Sequence, residues 1–214
     1  GTLDLTKTTW TSTNAASGFR LGVQGTAPLE GGQIDVNDSA DLGLAQLQFN
    51  SGVLNATPPV TFAQGVSIGG RAGATISRPV FSGSALTFSG ASGFFAANGP
   101  TTDLGFGVNN ITSLNGTFAA TVAPTNAIPS PTTYFIDING SGTVIFGGDA
   151  SAILDKFYLN GGVTLAINGT LGGEMIQATS GTTVTGGGTF SGFHIPTSGT
   201  GATLVPELYK ASTA

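Results

Sequence analysis

The chain has 214 residues, a net charge of −5, and only 8% charged residues, against roughly 25% in an average soluble domain. The six basic residues are scattered along the sequence, so no positive stripe could follow a phosphate backbone, and nucleic-acid binding is not expected. No run of about 18 apolar residues exists, so no membrane span is predicted. The absence of cysteine excludes disulfides and thiolate metal sites.

The composition predicts one all-β domain over residues 1–214. The 35 glycines and 14 phenylalanines suit short strands packed on an aromatic core, and no segment has the apolar periodicity of an amphipathic helix. Three prolines fall within residues 124–131. This segment is either a boundary between two subdomains or a long loop within one.

The N-terminal segment alternates apolar and polar residues, which predicts an extended strand. An ordinary first strand is one interpretation. The other is a subunit-contact strand that completes the sheet of a neighbouring copy by β-augmentation. The residues that would make this contact are Thr2, Leu3, Asp4, Leu5 and Trp10.

An acidic cluster follows at Asp35, Asn37, Asp38 and Asp41. Carboxylate and amide oxygens this close in sequence are possible ligands of calcium, the only cofactor that the sequence suggests. A solvated acidic turn is the alternative interpretation.

The strongest local pattern lies in residues 132–167, where apolar and β-branched runs are separated by residues 139–142 and 160–162. Asn and Gly reach positive φ at low cost, as two-residue hairpin turns require. The pattern predicts an antiparallel β-sandwich, jelly-roll-like, with Gly/Asn hairpins. Asp137, Asn139 and Ser141 also match the opening of a calcium loop, but Gly148 stands where that loop needs Glu, so a hairpin turn is preferred.

A β-solenoid rich in Gly and Thr is the alternative fold. Apolar residues recur near multiples of about 20 residues, as the turns of a solenoid would require. The spacing fails between Phe106 and Val144. Residues 163–173 and 182–192 resemble the Gly/Thr-rich repeats of bacterial autotransporter-type passenger domains, and that resemblance also implies a solenoid.

No catalytic group is predicted. His194 is the only histidine, and without a recognisable nucleophile motif it is interpreted as a structural residue at a strand end. Paired carboxylates for glycoside hydrolysis cannot be identified. Six Asn-X-Ser/Thr sequons are possible glycosylation acceptors, namely Asn37, Asn55, Asn110, Asn115, Asn139 and Asn168.

These observations favour a non-enzymatic extracellular or cell-surface protein that assembles with copies of itself into a filament, pilus, sheath or surface layer. Low charge reduces repulsion between close-packed β surfaces, and strand-like termini could pair with a neighbour's sheet edge. One alternative is a virion protein such as a capsid, decoration or fibre subunit. Another is an adhesin or carbohydrate-binding module, whose glycan ligand would stack on exposed aromatics.

Overall fold

The structure is a computed structural model that describes residues 2–4, 18–21, 32–43, 46–49, 51–69, 78–95, 103–120, 135–172, 176–190, 193–194 and 203–206. The strands in chain order are β1 (Thr2–Asp4), β2 (Gly18–Leu21), β3 (Gln33–Val36), β4 (Gln46–Phe49), β5 (Gly52–Ala56), β6 (Val60–Phe62), β7 (Val66–Ile68), β8 (Pro79–Gly83), β9 (Leu86–Phe88), β10 (Gly93–Phe94), β11 (Asp103–Val108), β12 (Ile111–Leu114), β13 (Phe135–Gly140), β14 (Thr143–Phe146), β15 (Asp149–Ala150), β16 (Lys156–Leu159), β17 (Thr164–Ile167), β18 (Thr170–Leu171), β19 (Ile176–Ala178), β20 (Thr183–Gly186), β21 (Thr189–Phe190), β22 (Phe193–His194) and β23 (Thr203–Pro206). A 3₁₀ helix, Ser39–Leu42, lies between β3 and β4.

The strands form three faces, and every strand pair in these ranges is parallel. The first face is the nine-stranded sheet β1-β3-β5-β8-β11-β13-β16-β19-β22, and the second is the seven-stranded sheet β23-β20-β17-β14-β12-β9-β6. The third face consists of the sheets β10-β7-β4-β2 and β15-β18-β21. The bridge between Ser92 and Phe118, and the 2.8 Å bond from the Phe118 amide to the Asp149 carbonyl, connect these two sheets.

The chain passes from face to face in a fixed order, so that consecutive coils stack on one another. β13, β14 and β15 belong to the first, second and third face, and β16, β17 and β18 repeat that order in the next coil. In-register pairing joins neighbouring coils, with Thr143 opposite Thr164 and Thr164 opposite Thr183. This is the topology of a parallel β-solenoid.

Alternation along each strand places one set of side chains inside the stack. In β14, Val144 and Phe146 are buried, while Thr143 and Ile145 are half-buried on the outside. Nine Phe rings among the described residues are fully buried, and ring contacts connect them through successive coils. After Phe157 the fully buried core of the described residues is aliphatic, with Leu165 and Val184 among its members, and the half-buried Phe190 packs against it.

The prediction of an antiparallel sandwich was wrong. Residues 139–142 do not reverse the chain into a hairpin, because β13 pairs with β11 and β16 on the first face while β14 pairs with β12 and β17 on the second. Gly140 has φ 126°, and the Gly142 amide donates to the Val108 carbonyl of the preceding coil. Positive φ is needed to turn a solenoid corner as well as to close a hairpin, so the residues predicted the bend but not its direction.

The second Asn-Gly turn is also a corner. Gly161 and Gly162 have φ 74° and 89° and connect β16 on the first face to β17 on the second. The parallel topology is the one that the alternative solenoid prediction requires.

The proline-rich segment 124–131 lies outside the described residues. The strands on either side of it pair directly, with Asp103 opposite Phe135 on the first face and Ile111 opposite Thr143 on the second. Both sheets therefore continue past this segment. The long insertion also explains why the 20-residue spacing fails there.

Candidate functional site

The outer surface of the first face holds most of the charged side chains of the described strands. Asp35, Asp137 and Lys156 lie at half-buried outward positions, and Arg78 precedes β8. Two hydrogen-bond networks, one around Asp35 and one around Arg78 and Asp137, connect neighbouring coils. Together with the adjacent aromatic pair they form the candidate site, called here the polar face.

The first network spans three coils near the N-terminal end of the stack. The amide nitrogens of Gln33 and Asn55 each donate to Asp35 Oδ1 at 2.7 Å. The Ser82 hydroxyl donates to Asn55 Oδ1 at 3.2 Å. Among the described residues, two neutral donors therefore hold the carboxylate of Asp35.

The second network is centred on Asp137. Arg78 Nη2 donates to Asp137 Oδ2 at 2.8 Å, and their side chains are 22% and 19% exposed. Asn160 Nδ2 donates to Asp137 Oδ1 at 2.7 Å. Since β11 lies between β8 and β13, Arg78 reaches across an intervening strand, and that strand carries Gly105 opposite Asp137. A glycine there leaves room for the guanidinium to cross.

An aromatic pair lies beside this ion pair. The rings of Phe135 and Tyr158 are 5.3 Å apart in an edge-to-face arrangement, and both are half-buried. Tyr158 stands directly opposite Asp137 in the neighbouring strand. Donors, an acceptor and aromatic carbon thus occur together on one surface, a combination suited to binding a polar ligand with apolar faces.

The acidic cluster predicted to bind calcium is divided between two environments. Asp35 belongs to the polar face, while Asp38 and Asp41 form the capping box of the 3₁₀ helix. Asp41 Oδ2 accepts the amides of Asn37 and Asp38 at 2.7 and 3.1 Å. Among the residues that the structure describes, no group of three acidic or histidine side chains is arranged to hold a metal ion. Calcium binding at this segment stays a prediction.

The predicted subunit-contact strand is partly described. Thr2, Leu3 and Asp4 form β1, which pairs in parallel with Gln33, Ile34 and Asp35 of the same chain. Leu5 and Trp10 lie outside the described residues. His194 ends β22 opposite Gln177, a strand end as predicted, and Asp137 and Asn139 lie in β13 rather than in a calcium loop.

The sequons differ in their environments. Asn110 is 7% exposed, its Nδ2 donates to the carbonyls of Ser82 and Ser84, and its Oδ1 accepts from Thr112. The side-chain nitrogen that would carry a glycan is therefore already used in hydrogen bonds within the protein. Asn55 is bonded within the first network. The four others are exposed: Asn37, Asn115 and Asn168 directly after strands, and Asn139 near the end of β13.

Sequence reasoning missed the roles of Arg78 and Asn160. Arg78 is 59 residues from Asp137, and unequal coil lengths in that part of the chain hide the alignment. Asn160 was interpreted only as a turn residue. Alignment of the regular coils after residue 135 would have placed Asn160 one coil beyond Asn139 and close to Asp137.

Comparisons with protein-family models, with curated proteins and with solved structures found no match. No helix among the described residues is both long and apolar enough to cross a membrane.

Proposed function

We propose that this chain is an extracellular structural protein that associates end to end with copies of itself. The weak charge of the sequence and the stacking of nearly equivalent coils both favour this role. A solenoid extends by adding coils, and each added coil buries the apolar edge of the previous one. A second copy can supply such a coil as readily as the same chain can.

The open edges of the terminal strands carry the proposal. In the described part of the chain, β1 pairs only with β3, and β23 pairs only with β20. Each therefore presents unpaired backbone groups to another strand, although Pro206 of β23 has no amide proton to donate. Because all strands are parallel, one end of the stack can pair with the opposite end of another copy. Such a head-to-tail contact does not close, so it generates a filament.

The predicted strand donation takes a specific form in this geometry. Thr2, Leu3 and Asp4 already complete the edge of their own sheet. A neighbour can pair with the outer edge of β1, or β1 can be exchanged between copies. Secretion to the cell surface, or incorporation in a virion fibre, would supply the setting for either assembly.

A proline substitution at the other end tests this proposal. The Thr203 amide donates to the carbonyl of Thr182, the residue before β20, so the next amide, that of Leu204, points to the open edge. Leu204→Pro removes that donor, and Leu204→Ala is the matched control that keeps it.

We expect filaments or concentration-dependent oligomers from the wild type and from Leu204→Ala, and shorter species from Leu204→Pro. Light scattering after size exclusion and negative-stain electron microscopy would measure this. A wild-type protein that stays monomeric at every concentration would contradict the proposal.

Glycan binding by the polar face is the second candidate, and the Phe135–Tyr158 pair beside the Asp137 network favours it. Sugars stack on aromatic carbon while their hydroxyls bond carboxylate and guanidinium groups. A glycan array with the wild type, Tyr158→Ala and the second-face control Thr164→Ala would test it. Retention of binding in Tyr158→Ala would contradict this assignment.

A further inference from the structure

The outer surface of the second face differs from the polar face, since it carries hydroxyl groups but no charge. The seven described strands of this sheet, β6, β9, β12, β14, β17, β20 and β23, contain no Asp, Glu, Lys, Arg or His. Their outward positions hold Thr, Ser and small or branched aliphatic residues. We call this surface the threonine face.

Its hydroxyls lie in two in-register ranks. One rank contains Ile111, Thr143, Thr164, Thr183 and Thr203, each directly opposite the next, and Ile111 is 52% exposed. The other rank contains Thr61, Thr87, Ser113, Ile145, Ala166 and Thr185, of which Ile145 and Ala166 carry methyl groups in place of a hydroxyl. Neighbouring strands are about 4.8 Å apart, and alternate residues of a strand about 6.7 Å apart. The face therefore combines an unbroken run of four threonine hydroxyls with a second rank of mixed hydroxyl and methyl groups.

These outward hydroxyls are available to an external partner. Hydroxyls elsewhere in the stack bond the protein itself, as Thr112 does to Asn110 Oδ1 and Thr179 to the Leu159 carbonyl. Within the described residues, Thr143, Thr164 and Thr183 have no side-chain partner of this kind. Threonine is also stiff at χ1, so the ranks lose little side-chain entropy on binding.

The chemistry of the face identifies its partner. Protein interfaces are anchored by Trp, Tyr and Arg, and none of these occupies an outward position among the described strands of this sheet. A charged partner would find no counter-charge. An uncharged, periodic array of hydroxyls beside methyl groups matches a lattice of water, whose oxygens accept and donate at a fixed repeat close to the spacing of the strands.

We propose that the threonine face binds ice. The hydroxyls take positions of lattice oxygens, and the methyl groups pack against the water cages between them. Each contact is weak, but the register of the coils makes all of them simultaneous. This inference uses the side of the solenoid and is independent of the proposed assembly through its ends.

A charge placed within the ranks tests the proposal. Thr164→Lys introduces a hydrated ammonium at the middle of the threonine face. Thr170→Lys is the matched control, because Thr170 is also half-buried and outward but belongs to the third face, in β18. Circular dichroism and thermal melts would confirm that both variants are folded.

Thermal hysteresis, inhibition of ice recrystallisation and binding of fluorescently labelled protein to a single ice crystal are the measurements. We expect all three from the wild type and from Thr170→Lys, and loss of most of each in Thr164→Lys. Absence of ice binding by the wild type would overturn the proposal, and so would equal loss in the two variants. A dimer that Thr164→Lys disrupts, without ice binding by the wild type, would assign the face to a second copy instead.

Discussion

The first and second faces are built from the same coils and rest on the same core, yet their outer surfaces have opposite character. The polar face carries carboxylates, a guanidinium and two aromatic rings connected by hydrogen bonds. The threonine face carries no charged group among its described strands. Stacking of parallel coils constrains only the inward positions, so the outward positions of each face are free to acquire separate roles.

The shared core is where the largest effect is expected. Phe146 is fully buried, with its ring 5.3 Å from that of Phe118 and 5.8 Å from that of Phe157. Phe146→Ala should lower the free energy of unfolding by about 3–5 kcal/mol, because it removes apolar contact and leaves a cavity. Thr143→Ala changes an outward residue of the same strand and should cost about 0.5 kcal/mol or less. Urea unfolding would measure the free energy of unfolding of both variants. Similar losses would show that the inward and outward side chains of β14 do not differ in their contribution to stability.

The corner between the second and third faces should give the next largest effect. A Cβ at Gly169 would lie 2.0 Å from the Gly148 carbonyl oxygen, and one at Gly188 would lie 2.1 Å from that of Gly169. Gly169→Ala should therefore destabilise the protein by about 1–3 kcal/mol, since backbone must shift to admit the methyl group.

Gly93→Ala is the control for this corner, because its Cβ would meet only Ala119 Cβ at 3.8 Å. Thermal melts of the two variants should differ clearly. If Gly169→Ala and Gly93→Ala have the same melting temperature, the coils do not stack closely at this corner.

A smaller effect distinguishes the two surfaces by their response to salt. Asp137→Ala leaves Arg78 and Asn160 without their shared acceptor and should cost about 1–2 kcal/mol at low ionic strength. Because the groups are partly exposed, salt should weaken the pair and reduce that cost. Thr164→Ala on the threonine face should show no salt dependence. Unfolding of both variants across a salt series would measure the difference, and parallel responses would contradict it.

The smallest expected effect lies on the third face, at Asp149. The Ser151 side chain and amide donate hydrogen bonds that lower the pKa of this carboxyl from 3.8, and the amide lies 3.0 Å from Asp149 Oδ1. A lowered folded-state pKa means that the stabilisation is present above the ordinary value and is lost as pH falls through the lowered one.

Asp149→Asn should therefore be slightly less stable than the wild type near neutral pH, and the difference should disappear in strong acid. Melting temperatures from pH 7 to pH 2 would follow it. A difference that grows as pH falls would have the wrong sign.

The sequence predicted which kind of secondary structure forms better than it predicted how the strands pair. Alternation and β-branched runs correctly indicated short strands without long helices, and the Asn-Gly turns were correctly located. Their direction could not be read, because Gly140 and Gly161 use positive φ at corners just as hairpin turns do. Parallel pairing depends on contacts about 20–30 residues apart, and no local pattern encodes them.

The candidate surfaces were less accessible to sequence reasoning. Asp35 was singled out as a calcium ligand, and its hydrogen-bond partner Asn55 appears only after the coils are aligned. The ranks of threonines were equally hidden, because Thr143, Thr164 and Thr183 look like ordinary residues of a Thr-rich chain. Only the register of neighbouring coils turns them into one surface.

Both faces exist only if neighbouring coils align in this register, and paired cysteines test that alignment most directly. The natural chain has no cysteine, so Thr143→Cys combined with Thr164→Cys introduces a single possible disulfide. Adjacent in-register strands bring Cα atoms within the roughly 4.4–6.8 Å that a disulfide requires. Thr143→Cys combined with Thr183→Cys places the cysteines two coils apart and is the control.

Parallel stacking predicts that the first pair oxidises readily within the folded monomer while the second stays reduced. Mass spectrometry after mild oxidation would report both outcomes. A first pair that stays reduced in the folded protein, or a second pair that oxidises equally fast, would contradict the parallel solenoid.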